Sequence, residues 1–269
     1  MSAAAVGTLA LSAVAVSLAH AHVSPRRNTD VPGVTKTVML VGDSVPTGFA
    51  DDFADAAAEH GYAVVRATAP GCPATGVRKV FSSGARFKKS SCPRVVKEQD
   101  TKIQTFRPAL VIWWSRFEVG PRLGQDAKVL PLGSRAYWRA QQASFEERAR
   151  ALTNREARLV TIQIERPGRA LAARNPSERY LLVGQTLLHR TKIVKAWNAF
   201  LASHKGPKVF SISIDRLVCH DARSPCDDAL RSGEPARPDG VHYSDRAERL
   251  LAPAILEAAF RIAHLESTG

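Results

Sequence analysis

The sequence predicts an α/β fold: a single-domain, three-layer α/β/α sandwich built on a mainly parallel five-stranded sheet. Three observations predict it. Short apolar runs alternate with longer segments of helical periodicity, which is typical of strands joined by right-handed crossover helices. The runs are apolar on both faces, as in strands that helices cover from both sides. With 269 residues, 45% of them hydrophobic and 23% charged, the chain can bury one large core, and no repeat or change in composition marks a second domain.

Five apolar runs are predicted as strands. Each is short, is rich in Val, Ile or aromatic residues, and is bounded by turn-forming or charged residues. In chain order they are Thr37–Val41, Tyr62–Ala67, Pro108–Trp114, Arg158–Ile164 and Lys208–Ile214. In a parallel sheet the carboxyl ends of the strands meet at one edge, and the active sites of open α/β sheets lie there.

Four segments have apolar residues at helical spacing and are predicted as helices. They are Asp51–His60, Ser134–Thr153, Thr186–Ser203 and Ser244–His264. Gly61 directly follows the first of them, as is typical at a helix C-terminus. The stretch between Cys72 and Cys92 is predicted as a loop.

The N-terminal segment indicates export. Ala3–Ala21 is small and apolar, is about long enough to span a bilayer, and ends in the A-x-A pattern of signal-peptidase sites. No Lys or Arg precedes it, so an uncleaved membrane anchor or the last span of a truncated membrane protein stays open beside a cleaved signal peptide. Residues 22–35 are predicted as a linker, and residues 36–269 as the folded domain.

The four cysteines support an extracytoplasmic location. Cys72 and Cys92 flank one stretch, and Cys219 and Cys226 flank another, so two local disulfides are the simplest of three pairings. The alternative is four free thiols in a cytosolic protein. The cysteines lack C-x-x-C spacing and a Cys/His cluster, so no metal site is predicted.

The net charge of +13 requires a reason. The Lys and Arg residues are spread thinly, without a dense basic run, zinc-finger spacing or RNA-binding aromatic motif, so no nucleic-acid partner is predicted. A basic surface would suit the anionic polymers of a cell envelope. The alternative is a solvated surface with an ordinary bias towards Arg.

Two short motifs at opposite ends of the predicted domain carry candidate chemistry. Gly42-Asp43-Ser44 follows the first strand directly, and a serine hydroxyl becomes a nucleophile when a base takes its proton. His242 lies in RPDGVHYSD, just before the last helix, and Asp239 three residues earlier can reach the imidazole Nδ1. Alternatively, Ser44 caps a helix, His242 is a surface-loop histidine and Asp239 forms a turn.

These two motifs resemble the first and last blocks of the SGNH/GDSL hydrolase family. The family's second block supplies an oxyanion-binding glycine after the second strand, where ATAPGCPATG offers Gly71. The resemblance implies a flavodoxin-like sheet and ester chemistry by Ser44, His242 and Asp239. It implies an oxyanion hole formed by the backbone N–H groups of Ser44 and Gly71, and neither a metal nor an organic cofactor.

The third block departs from the family pattern. In the family it is usually G-x-N-D, and the Asn side chain completes the oxyanion hole. Here the third strand runs into WWSRFEVG, which has no Asn. Ser115 or Arg116 are candidates for an oxyanion or substrate contact, and an ion pair between Arg116 and Glu118 at the pocket rim is the alternative.

The details of the blocks resemble one branch of the family. Cys72 directly follows the oxyanion glycine, a cysteine pair precedes the D-G-x-H block, and the third block is aromatic and Arg-containing. Extracytoplasmic SGNH domains attached to membrane O-acyltransferases of cell-envelope glycans share these features. The resemblance implies a serine esterase or O-acyltransferase that acts on O-acyl, in particular O-acetyl, groups of envelope carbohydrate.

The resemblance to this branch implies partners as well as an activity. The substrate would be an acylated glycan or another small ester, and a membrane acyltransferase would be a protein partner. The alternative is a non-catalytic envelope glycan-binding domain that works with such an acyltransferase, which the missing Asn favours.

Overall fold

The computed structural model describes residues 36–77, 92–124, 128–173, 186–204 and 206–265. The predicted signal peptide or anchor, Ala3–Ala21, and the predicted linker over 22–35 lie outside the described residues. Within the described ranges, no helix combines the length and the apolar character needed to cross a bilayer.

Five parallel strands form one sheet in the order β2-β1-β3-β4-β5. They are β1 (Lys36–Gly42), β2 (Tyr62–Thr68), β3 (Leu110–Trp114), β4 (Arg158–Ile162) and β5 (Val209–Ile212). The predicted α/β class with a parallel five-stranded sheet is confirmed. The fourth strand is shorter than predicted, because the N–H of Ile164 donates to Asn198 Oδ1 at 2.9 Å and the pairing with β3 stops at Ile162.

Helices connect the strands and cover the sheet. They are α1 (Ser44–Gly48), α2 (Ala50–Glu59), α3 (Cys92–Phe106), α4 (Arg135–Leu152), α5 (Ala170–Ala173), α6 (Thr191–Ser203), α7 (Asp215–Val218) and α8 (Asp245–Ile262). The predicted helix over 186–203 is interrupted at Arg190, whose φ of −123° is not helical, and α6 begins at Thr191.

Helix α3 has no counterpart among the predicted elements. Its buried residues recur at helical spacing as Cys92, Val95, Gln99 and Ile103. Gln99 takes a place that an apolar residue usually fills, which weakens the periodic signal in the sequence. The second residue is Pro93, and a missing N–H costs little in the first turn of a helix.

The sheet separates two apolar clusters. Val38 and Leu40 belong to the cluster on one face, together with residues of α2 and α8. Met39 and Val41 belong to the cluster on the other face, with residues of α3, α4 and α6. Because successive side chains of a strand point to opposite faces, β1 is buried from both sides, and the layers are helix, sheet and helix.

Two disulfides close loops that flank the carboxyl edge of the sheet. Cys72 is bonded to Cys92, with Cα atoms 5.3 Å apart, and Cys219 is bonded to Cys226, with Cα atoms 5.5 Å apart. The first bond joins the loop after β2 to the start of α3. Structural disulfides of this kind fit an extracytoplasmic protein.

Candidate active site

The turn after β1 places Ser44 at the carboxyl edge of the sheet. β1 ends at Gly42, and Ser44 is already the first residue of α1. Asp43, not Ser44, caps this helix, since its Oδ1 accepts the N–H of Val45 at 3.0 Å. The Ser44 hydroxyl is therefore left for a partner across the edge.

That partner is His242, 198 residues further along the chain. Ser44 Oγ lies 2.8 Å from His242 Nε2, and His242 Nδ1 lies 2.7 Å from Asp239 Oδ2. The loop between α7 and α8 carries both His242 and Asp239. A serine, a histidine and an aspartate in this order form the hydrogen-bonded chain that activates a hydroxyl for attack on an acyl carbon.

The Asp239 carboxylate is held in place by its own loop. Its Oδ1 accepts the N–H groups of Val241 at 2.8 Å and His242 at 2.6 Å. Partial burial raises the pKa of Asp239, but the hydrogen bonds from the His242 ring and from these two N–H groups outweigh it and lower the pKa to about 2. Asp239 is therefore ionised at neutral pH and acts as an acceptor for His242 Nδ1. In the neutral tautomer with the proton on Nδ1, Nε2 accepts from the Ser44 hydroxyl.

Gly71 lies in the loop after β2, beside the Ser44 turn. The loop begins against Gly42, whose carbonyl accepts the N–H of Ala69 at 2.9 Å. Thr47 Oγ1 of α1 lies 2.7 Å from Thr68 Oγ1 at the end of β2, which joins the helix to the same edge. Within the described ranges the N–H of Gly71 has no protein acceptor, and the N–H of Ser44, first in its helix, has no intrahelical one.

The third block puts Ser115 and Arg116 directly after β3, both buried. Ser115 Oγ accepts the N–H of Phe117 at 3.3 Å and keeps its own proton for another acceptor. The Arg116 guanidinium is 2% exposed, donates from Nη1 to the carbonyl of Val241 at 2.6 Å, and pairs through Nη2 with Glu165. These contacts correct the alternative of a rim ion pair with Glu118 and leave the guanidinium no exposed face for a substrate.

A buried ionic cluster behind the site was missed by sequence reasoning. Glu165 Oε1 accepts the hydroxyl of Tyr243 at 2.6 Å in addition to Arg116, and Arg237 lies 4.0 Å away. Burial raises the pKa of Glu165, but the charges of Arg116 and Arg237 outweigh it and lower the pKa below its usual value. The sequence did carry one signal for Glu165, namely its position. Glu165 follows β4 at the same edge of the sheet where Ser44 follows β1.

Glu118 is a second buried carboxyl group near the site. It lies in a 3-10 turn after β3 and is 2% exposed. Its Oε1 accepts the N–H of Ala74 at 2.6 Å, and its Oε2 accepts the hydroxyl of Thr75 at 3.0 Å. Glu118 is thereby joined to the loop that carries Gly71.

Glu118 is expected to make the stability of the fold depend on pH. Burial raises its pKa from 4.5 to about 7, against the hydrogen bonds from Thr75 and Ala74. The folded protein thus binds the Glu118 proton more tightly than the unfolded chain does. Glu118 therefore contributes its full stabilisation of the folded state below about pH 4.5, and this contribution is lost as the pH rises through about 7. A shift of this size corresponds to about 3 kcal/mol. Urea denaturation at several pH values should show that Glu118→Gln removes this part of the pH dependence of the free energy of unfolding. The same dependence of the unfolding free energy on pH in wild type and in Glu118→Gln would contradict this expectation.

The family model described as "SGNH domain (fused to AT3 domains)" matches residues 18–257. The chain therefore belongs to this family, and the resemblance predicted from the first and last blocks is confirmed.

Solved structures with a similar fold include two named enzymes. One is a GDSL-like lipase from Bacteroides thetaiotaomicron VPI-5482, with a TM-score of 0.47, 14% identity, and coverage of 84% of this chain and 88% of that chain. The other is the acetyl xylan esterase AlAXEase, with a TM-score of 0.46, 12% identity, and coverage of 82% of this chain and 98% of that chain. At this identity the likeness concerns the fold alone. Among curated proteins, none matches the chain.

Proposed function

We propose that this protein is an extracytoplasmic serine esterase or O-acyltransferase that acts on O-acyl, chiefly O-acetyl, groups of cell-envelope carbohydrate. The observation that carries the proposal is the hydrogen-bonded chain of Ser44, His242 and Asp239, with distances of 2.8 and 2.7 Å. The family's association with AT3 domains supports a membrane acyltransferase as partner. The two disulfides and the net charge of +13 support a place in an oxidising compartment beside anionic polymers.

The first half of the proposed reaction forms an acyl-enzyme. His242 Nε2 takes the Ser44 proton while Ser44 Oγ bonds to the ester carbonyl carbon. The negative charge that develops on the carbonyl oxygen is bound by the N–H groups of Ser44 and Gly71. Asp239 stabilises the imidazolium that forms. His242 then gives the proton to the alcohol oxygen as the ester C–O bond breaks, and the acyl group remains on Ser44.

The second half returns the enzyme to its starting state. Water or a sugar hydroxyl loses a proton to His242 and attacks the acyl carbon, and Ser44 leaves with the proton that His242 returns. Water gives hydrolysis and a free acid, whereas a sugar hydroxyl gives a new ester. His242 is 38% exposed at its side chain, which leaves room for either acceptor.

The rival function is non-catalytic glycan binding. It is favoured by the absence of an Asn in the third block, because loss of one oxyanion donor typically lowers turnover by about 10²–10³. Under this alternative the hydrogen bond between Ser44 and His242 would be structural only, and Ser44 would not attack an ester.

Release of acetate separates the two functions. Wild type is incubated with p-nitrophenyl acetate and with an O-acetylated polysaccharide, beside Ser44→Ala. We expect at least a 10³-fold loss in the variant. Ser203→Ala is the matched control, since Ser203 is an exposed serine at the end of α6. Equal release by wild type and Ser44→Ala would contradict the proposal, and glycan binding by wild type without release from either ester would favour the rival.

A further inference from the structure

The segment that replaces the G-x-N-D block contacts every other part of the candidate site. It follows β3 and includes Arg116, two residues after the strand ends, and Glu118, two residues further on. Both side chains are buried, at 2% exposure each. What they contact are the backbone groups that hold the nucleophile, the base and the oxyanion loop.

The first contact fixes the nucleophile turn. The backbone N–H of Arg116 donates to Asp43 Oδ2 at 2.7 Å, while Asp43 Oδ1 accepts the N–H of Val45. The carboxylate of Asp43 therefore links Arg116 in the third block to Val45 in α1. Asp43 and Val45 are the residues directly before and after Ser44. Asp43 is 1% exposed, so water does not compete for these bonds.

The second contact fixes the base. The Arg116 guanidinium donates to the carbonyl of Val241, the residue before His242. Its partner Glu165 accepts from the hydroxyl of Tyr243, the residue after His242. The Arg116–Glu165 pair thus holds the chain immediately before and after His242.

The third contact fixes the oxyanion loop. Glu118 accepts two backbone N–H groups, from Ala74 at 2.6 Å and from Thr75 at 3.4 Å, and the hydroxyl of Thr75. Ala74 and Thr75 close the loop in which Gly71 has a φ of +71°. The disulfide between Cys72 and Cys92 ties the same loop to the start of α3.

We propose that Arg116 and Glu118 are positioning residues: Arg116 holds the His242 loop against the Ser44 turn, and Glu118 holds the Gly71 loop beside them. The inference rests on the proposed function. Serine chemistry needs Ser44 Oγ within about 2.6–3.2 Å of the base, and a 1 Å misplacement can cost about 10² in rate. A block without the Asn side chain contributes by fixing the groups that react.

Two kinds of variant separate positioning from general stability. Arg116→Lys keeps a positive charge beside Glu165 but lacks the planar fork that serves Val241 and Glu165 together. Glu118→Gln keeps an oxygen acceptor for Ala74, whereas Glu118→Ala removes it. Arg148→Met is the matched control, because Arg148 is a buried arginine that pairs with Asp100 through a bond of 2.6 Å in another part of the fold.

The kinetic readout is the rate constant of covalent labelling by a fluorophosphonate, per folded molecule. Arg116→Lys and Glu118→Ala should label about 10²-fold more slowly than wild type. Glu118→Gln should stay within about threefold of wild type, and Arg148→Met should label at the wild-type rate while unfolding at lower urea concentration. The proposal would be overturned if Arg116→Lys and Glu118→Ala were labelled at the wild-type rate. It would also be overturned if the labelling rate of Arg148→Met fell as much as theirs.

The second readout, amide hydrogen exchange, does not depend on activity. In Arg116→Lys the amides over 239–244 should exchange about tenfold faster, and in Glu118→Ala those of Ala74 and Thr75 should do the same, while the sheet stays protected. If wild type takes up no fluorophosphonate, the proposed function fails, and the exchange pattern still decides the positioning. Unchanged exchange in both loops would overturn the inference, whatever the labelling shows.

Discussion

Replacement of His242 by alanine is expected to slow acylation of Ser44 by about 10⁴- to 10⁶-fold. The reason is that in the proposed mechanism His242 Nε2, 2.8 Å from Ser44 Oγ, is the base that takes the hydroxyl proton. The rate of p-nitrophenyl acetate hydrolysis, measured before and after the substitution, checks this result. Asp239→Asn should lower the same rate by about 10⁴, because the amide no longer fixes the tautomer that accepts from Ser44.

The matched control is His189→Ala. His189 is exposed and lies outside the loop between α7 and α8. Its substitution should leave the rate within about twofold of wild type, as expected for a surface position away from the site. A fall of less than tenfold in His242→Ala would show that His242 is not the base.

Gly42→Ala is expected to destabilise the fold severely. Gly42 has a φ of +148°, and a Cβ atom there would lie 1.8 Å from the carbonyl oxygen of Trp114 and 2.8 Å from Pro46 Cγ. The backbone cannot move away, because Gly42 is paired with Trp114 on one side and with Thr68 on the other. Strain and overlap together should exceed about 4 kcal/mol, a large part of the stability of a domain. Circular dichroism and urea denaturation of the variant measure the loss.

Gly233→Ala controls for backbone strain alone. Gly233 has a φ of +85°, and a Cβ atom there meets nothing within 4 Å. Its substitution should cost about 1–2 kcal/mol and leave a folded protein. Equal stability of Gly42→Ala and Gly233→Ala would contradict the account of the close approach between β1 and β3. The glycine of the G-D-S motif is therefore required by the sheet itself, before any chemistry of Ser44 is considered.

The strands were predictable because each is a short apolar run. The inner strands β1, β3 and β4 are almost wholly buried, whereas the edge strands β2 and β5 are only partly buried. The five predicted strands include every strand of the sheet, with differences at their ends. The prediction missed α3, where Gln99 takes a buried position, and the interruption at Arg190. The buried place of Gln99 depends on packing against the rest of the fold, which periodicity along the chain does not record.

The candidate site was predictable where the motif itself determines the local geometry. Asp239 reaches His242 within one turn, and Ser44 follows the end of a central strand, so the sequence indicated each of these two arrangements. The sequence could not show that His242 meets Ser44, 198 residues away, because that contact depends on the folded chain. The directions of Arg116 and Glu118 were not predictable. Each contacts a residue at least 40 positions away, Glu165 and Ala74 in these cases, and only the packed sheet brings them together.

Intact-mass measurement after fluorophosphonate treatment tests the central claim that Ser44 is an activated nucleophile. The protein over residues 22–269 is treated beside Ser44→Ala and His242→Ala, with peptide mapping of the labelled position. A single adduct on Ser44 in wild type, absent from both variants, is the result that the Ser44–His242–Asp239 geometry predicts. No adduct on folded wild type, or an adduct that persists in Ser44→Ala, would contradict the claim.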